Sequence, residues 1–234
     1  MNISFSDFEK FKAPVSMWCV KHIYQNMSYP FFLLAYKCRL SPNTVTVLSL
    51  LFFIFGGFFF VAGWYLYTLV FWVISYVLDC TDGSLARATK KTSVFGAFLD
   101  VSIDRFCSTV YLLLIYSKLS LGYSFSDIQH WIVMCGAVGI VYNSFISMLR
   151  VHYFPWLKGY AKRAGAGVKF KILKITYEAL DTGNVYVLTC LAFYFEAWFE
   201  VFLFYFILTG LIIAYNFWIL FHEKQTTLRE REYE

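Results

Sequence analysis

Four aspartates, Asp79, Asp82, Asp100 and Asp104, stand close together in a chain that is otherwise strongly apolar. The stretch reads D-C-T-D-G-S-L-A-R, then eight residues, then G-A-F-L-D-V-S-I-D. Charges at membrane depth are costly and persist where they pair, bind metal or do chemistry. Asp79, Asp82 and Ala86 fall at i, i+3 and i+7, one face of a helix. Gly96, Asp100 and Asp104 fall at i, i+4 and i+8, one face of a second. A basic turn around Lys90 and Lys91 joins the two, so facing helices would aim four carboxylates at one point.

Without cations such a cluster repels itself, and some members must stay protonated. With hard divalent cations the carboxylates become oxygen ligands, and Mg²⁺ or Mn²⁺ is the natural guest. Two such ions, about 3.5–4 Å apart, hold a diphosphate and stabilise attacking and leaving oxygens. Gly83 and Gly96 each cost roughly 1 kcal/mol in a helix relative to alanine. They suit close approach of a ligand to the backbone, or tight helix packing alone. Ala86 keeps the same surface low, and Arg87 offers a planar fork for phosphate.

The elements that must position these residues are helices. The 234 residues are 59% hydrophobic and 22% aromatic, with 15% charged, and their long apolar runs call for membrane spans. The expected fold is all-α: a six-transmembrane helix bundle with an N-terminal amphipathic interfacial helix. Residues 1–40 form the amphipathic and juxtamembrane segment, 41–222 the six-span domain, and 223–234 a charged tail. In the first segment Phe5, Phe8, Phe11, Val15 and Trp18 recur at helical spacing, and a short helix is expected over Phe31 to Lys37, after Pro30. Ser41-Pro42-Asn43 is a helix start, Ser as cap and Pro in the first turn. The spans are expected near 44–62, 65–88, 93–117, 128–153, 172–194 and 198–221, with a tight turn at Gly63-Trp64.

Six spans put most Lys and Arg on one side, leaving Lys118 beside Asp127, Glu196 and Glu200 on the other. The positive-inside rule then sets both termini and the acidic motif at the cytoplasmic face. The net charge of +5 therefore points to a membrane surface rather than nucleic acid. The acidic, mixed start is unlike a signal peptide. Six cysteines without a C-x-x-C pair imply reduced thiols and no zinc site.

The pattern D-x-x-D-G-x-x-A-R-x8-G-x3-D-x3-D resembles the signature of the CDP-alcohol phosphatidyltransferase family, with every fixed position filled by Asp79, Asp82, Gly83, Ala86, Arg87, Gly96, Asp100 and Asp104. The P-N-x-x-T element (Pro42, Asn43, Thr46) also matches. The resemblance spans about residues 41–220 and is strong to about Arg105. It implies two bound Mg²⁺ or Mn²⁺ ions and transfer of a phosphoryl-alcohol group from a CDP-alcohol to an acceptor hydroxyl, with release of CMP. It implies Asp79, Asp82, Asp100 and Asp104 as metal ligands, Asp104 also as general base. Asn43, Thr46, Gly83, Ala86, Arg87, Ser93 and Gly96 would line the nucleotide site. Homodimers are common in the family.

The basic loop after the fourth span tilts the donor towards CDP-diacylglycerol and the acceptor towards a small alcohol or phosphorylated alcohol. Arg150, Lys162, Arg163 and Lys169 would hold it, although the same charges suit anionic lipid. Glu178, Asp181 and Asn184 fall on one face of the fifth span, towards that cavity or paired with Arg150 or Lys174. Three alternatives compete: a CDP-choline or CDP-ethanolamine donor with a lipid acceptor, an acid-cluster cation transporter, and a membrane metal hydrolase. The transporter leaves the glycines and Arg87 without a purpose.

Overall fold

The computed structural model describes residues 4–14, 17–122, 128–129, 131–139, 142 and 181–214. Among them every regular element is helical. The first helices are α1 (Phe5–Glu9), a π-helical turn (Val20–Tyr24) and α2 (Gln25–Lys37). They are followed by α3 (Pro42–Val61), α4 (Tyr65–Thr89), α5 (Val94–Gly122) and α6 (Thr182–Tyr194). A last apolar helix, α7, covers Trp198–Ala214. The chain divides into two compact units, residues 1–124 with 177–198, and residues 125–176 with 199–234.

In the first unit α4 is the central helix and packs on α2, α3 and α6. α3 and α4, 20 and 25 residues long, are apolar enough to cross a bilayer. At 1.5 Å per residue they reach about 30 and 37 Å. α5 is longer, at 29 residues, but carries Asp100, Asp104, Arg105 and Lys118. The expected turn between the first two spans is present: Gly63 adopts φ +82° and the Trp64 amide closes on the Phe59 carbonyl at 2.9 Å. Trp72 of α4 is fully buried, and its indole N–H donates to the Phe53 carbonyl at 3.1 Å. Ser75 Oγ likewise donates to the Ser49 carbonyl, 2.8 Å away. Across α5 and α6, the Tyr111 and Thr189 hydroxyls meet at 2.5 Å. Within the second unit, an added methyl at Gly136 would strike the Phe202 carbonyl, and one at Gly139 the Thr209 side chain, so residues 131–139 and α7 pack backbone to backbone.

Three expectations need correction. The N-terminal amphipathic helix does not run on to Trp18: α1 ends at Glu9, and Pro14 disfavours helical backbone at Ala13. The following helix does not wait for Pro30 either, because Pro30 lies inside α2. Burial of Phe32 and Ala35 against Phe8, Val45, Leu78 and Leu85 outweighs the hydrogen bond that the proline ring forfeits. The expected fifth helix is also interrupted at Asp181. Asp181 is extended (φ −64°, ψ 139°) and caps α6, accepting the Gly183 amide at 3.2 Å. The fourth span, the first part of the fifth and the end of the sixth extend beyond the described residues.

A test of the α3–α4 packing is Gly56→Ala. Its methyl would overlap the Trp72 indole, and overpacking of this kind costs roughly 1–3 kcal/mol. The purified protein should melt several degrees lower in detergent; an unchanged melting temperature would contradict the packing described.

Candidate functional site

The ends of three helices meet at the acidic motif. α3 starts with Ser41, whose Oγ accepts the Thr44 amide at 3.1 Å, and Pro42 occupies the first turn. This sets Asn43 and Thr46 facing the C-terminal end of α4. α4 ends in a left-handed cap at Lys90 (φ 55°, ψ 33°), and the Lys91 amide returns to the Ala86 carbonyl at 2.9 Å. A non-glycine residue pays to sit there, and such strain persists where the surrounding structure fixes it. The reversal leads into Ser93, whose Oγ accepts the Gly96 amide at 2.9 Å and so caps α5.

These ends enclose a cleft of about 180 Å³. α3 contributes Pro42, Asn43 and Thr46, and α4 contributes Asp82, Gly83, Ala86 and Arg87. The turn contributes Lys91, Thr92 and Ser93, and α5 contributes Gly96, Ala97 and Asp100. All seven residues expected around a nucleotide thus line one cleft. Pro42, Lys91, Thr92 and Ala97 line it too, although the sequence reading assigned none of them to the nucleotide. For Lys91 and Thr92 the signal was available, since they sit in the short connection between the two halves of the motif.

The two glycines differ. A Cβ at Gly96 would come within 3.1 Å of both Asn43 Oδ1 and Ser93 Oγ, so Gly96 lets the helix ends close together. A Cβ at Gly83 would meet only the Arg87 guanidinium, at 3.4 Å or more, which is ordinary contact. Gly83 is therefore not needed for helix packing, and it leaves the cleft wall low beneath Arg87.

Ligand oxygens of Asp79, Asp82 and Asp100 lie within 4.8 Å of one another. Oxygens sharing one hard cation are at most about 4–5 Å apart, twice the ligand distance, so this trio fits a divalent ion. Asp82 is 6% exposed, and its Oδ2 is buried without a hydrogen-bond partner. A bare carboxylate oxygen away from water is costly, and a cation would satisfy it. Asp104 is exposed and stands outside this trio, one turn further along α5. Three of the four expected carboxylates thus meet within 4.8 Å, and Asp104 follows on the next turn of α5.

Asp181 and Asn184 each accept from a tyrosine. Tyr76 donates to both Asp181 carboxylate oxygens at 3.0 Å, and Tyr24 donates to Asn184 Oδ1 at 3.0 Å. The two tyrosine rings meet edge to face at 4.8 Å over Gly183, where a methyl would collide with both. Glu178, Arg150, Lys162, Arg163 and Lys169 lie outside the described residues. All six cysteines are free.

A profile of CDP-alcohol phosphatidyltransferases matches residues 39–214. The chain belongs to the CDP-alcohol phosphatidyltransferase family. Members similar to it include an archaetidylinositol phosphate synthase of Pyrococcus horikoshii, 36% identical over 66 residues, 28% of this chain and 35% of that one. A CDP-diacylglycerol–glycerol-3-phosphate 3-phosphatidyltransferase of Sodalis glossinidius is 32% identical over 98 residues, 42% of this chain and 47% of that one. An inner membrane protein of Escherichia coli, YnjF, is 27% identical over 170 residues, 70% and 74% of the two chains. The chain thus spans less than half of the two named synthases. Two helices long and apolar enough to span a bilayer, in a family of membrane enzymes, mark a membrane protein.

If the trio is a metal centre, Asp100→Asn should weaken Mn²⁺ binding to the purified protein by at least about tenfold, judged against the losses that even outer-shell changes cause. Electron paramagnetic resonance of free Mn²⁺ measures this. Unchanged affinity would remove Asp100 from the centre.

Proposed function

We propose that the protein transfers a phosphoryl-alcohol group from a CDP-alcohol, CDP-diacylglycerol in the first instance, to the hydroxyl of a small alcohol in phospholipid biosynthesis. The observation that carries this reading is the single cleft in which Asn43, Thr46, Gly83, Arg87, Ser93 and Gly96 surround Asp82 and Asp100. The cleft admits part of a nucleotide diphosphate, with the rest reaching outward. Arg87 and Lys91 supply cationic donors for its phosphates. Asp79, Asp82, Asp100 and Asp104 would hold divalent metal, Mg²⁺ or Mn²⁺ and in our reading two ions, which when bound would neutralise the diphosphate so that CMP becomes a good leaving group.

The acceptor oxygen attacks the phosphorus that bears the lipid. The phosphoanhydride bond breaks, CMP departs with the bridging oxygen, and the hydroxyl proton passes to a carboxylate. Asp104 takes that proton. It is one helical turn from Asp100 and exposed, so it is open to an incoming hydroxyl while in our reading it also touches the metal site. We place six spans in the bilayer, with the cleft and both termini on the cytoplasmic side. We assign acceptor binding to Arg150, Lys162, Arg163 and Lys169.

The reading is tested by CMP formation from CDP-diacylglycerol with a panel of acceptors, the lipid product identified by mass spectrometry. CMP should require metal, donor and acceptor together. Release without acceptor would favour a hydrolase, and none under any condition would favour transport. Asp104→Asn should keep CDP binding and lose about 10²–10⁴-fold in turnover, the usual share of a positioned base. Full turnover in that variant would take Asp104 out of the role.

A further inference from the structure

We propose that the N-terminal turn over residues 10–13 orients Arg87 for the substrate's phosphates, and so belongs to the substrate site although it lies 76 residues away in sequence. This rests on Arg87 serving the diphosphate, as read above.

Arg87 is exposed near the end of α4, where a long side chain would otherwise sample many rotamers. Three contacts fix it. Its Nε–H donates to the Phe11 carbonyl at 2.5 Å. Its guanidinium lies back over Gly83, where an added Cβ would be 3.4 Å from Nη1. Its Nη2 is 3.5 Å from Ser84 Oγ. With Nε engaged, the Nη1–Nη2 edge is the fork left to face two phosphate oxygens.

The carbonyl that sets this geometry is itself held from both sides. Phe8 is fully buried against Phe32, Val45, Leu78 and Leu85, and Phe11 packs on the same cluster. The Lys12 ammonium donates to Asn26 Oδ1 at 2.6 Å and lies over the Phe5 ring at 4.6 Å. Gln25, 3% exposed, donates through Nε2 to the Ala13 carbonyl at 3.1 Å. The turn is thus pinned to α2, and α2 packs on α4. A charged side chain of the cleft takes its direction from a segment that carries none of the family motif.

Two substitutions at one position separate this role from general stability. Lys12→Pro forces the preceding residue towards extended backbone and re-aims the Phe11 carbonyl. Lys12→Ala removes the same side chain and its tie to Asn26 but does not restrict the Phe11 backbone, which the Phe8–Phe11 packing and Gln25 still hold. In the full-length enzyme, Lys12→Pro should raise the KM for the CDP-alcohol about tenfold, the order set by freeing an arginine's rotamers, with kcat nearly unchanged. Lys12→Ala, which loses one tie of the turn, should raise KM clearly less than Lys12→Pro, and in an Arg87→Lys background Lys12→Pro should add nothing. Equal KM values for Lys12→Pro and Lys12→Ala, or an undiminished effect without the guanidinium, would overturn the proposal.

Should Lys12→Pro fail to fold, ¹⁵N-arginine NMR of the unaltered protein decides. The Nε–H signal absent from Arg87→Lys should be protected from solvent exchange before any substrate is added; exchange as fast as in free arginine would overturn the proposal. Failure of the functional reading looks different: the wild type forms no CMP while the Nε–H stays protected.

Discussion

Everything at the site follows from holding three carboxylates together where water is scarce. Asp79, Asp82 and Asp100 come from two helices and share a space less than 5 Å across, and one oxygen of Asp82 has no donor. Like charges at that separation repel strongly in a low-dielectric setting. The fold must therefore impose their meeting, and the packing of α4 does so. Trp72 is buried on Phe53, Ser75 is tied to Ser49, and the Gly56 surface is cut to fit the indole. One further turn along α4 from that seam stands Asp79, its position set by packing that involves no charge.

The same principle governs the helix ends. Three caps fix where the polar residues point: Ser41 for α3, the left-handed Lys90 for α4 and Ser93 for α5. Each satisfies backbone groups that would otherwise lack partners, and each also aims a wall of the cleft. Membership of the CDP-alcohol phosphatidyltransferase family agrees with this division of labour, since the matched region begins at residue 39, just before the first cap.

Much of this was legible in the residues themselves. Helical spacing put the aspartates on facing surfaces, and Ser-Pro-Asn marked the start of α3 to the residue. The turn at Gly63 and the extents of α3 and α4 followed from apolar length and breaker residues. What escaped the reading depended on contacts between distant segments. Pro30 reads as a boundary, yet buried aromatic residues carry α2 through it. Asp181 reads as one face of a long helix, yet it is a cap held by Tyr76. The sequence D-T-G offered that alternative, an acidic cap ahead of a glycine on which two tyrosines rest. The hydrogen bond from Arg87 to Phe11 leaves no local trace, because a backbone carbonyl has no residue type. Asp104 fits the helical period and follows Asp100 by one turn, a rise of about 6 Å along α5.

The most direct measurement is pulsed electron–nuclear double resonance on the full-length protein loaded with Mn²⁺ and CDP. A ³¹P hyperfine coupling from the nucleotide's phosphates, lost when Asp82 is replaced by Asn, is the result this account predicts. Mn²⁺ bound with no phosphorus coupling, or a coupling indifferent to Asp82, would contradict it.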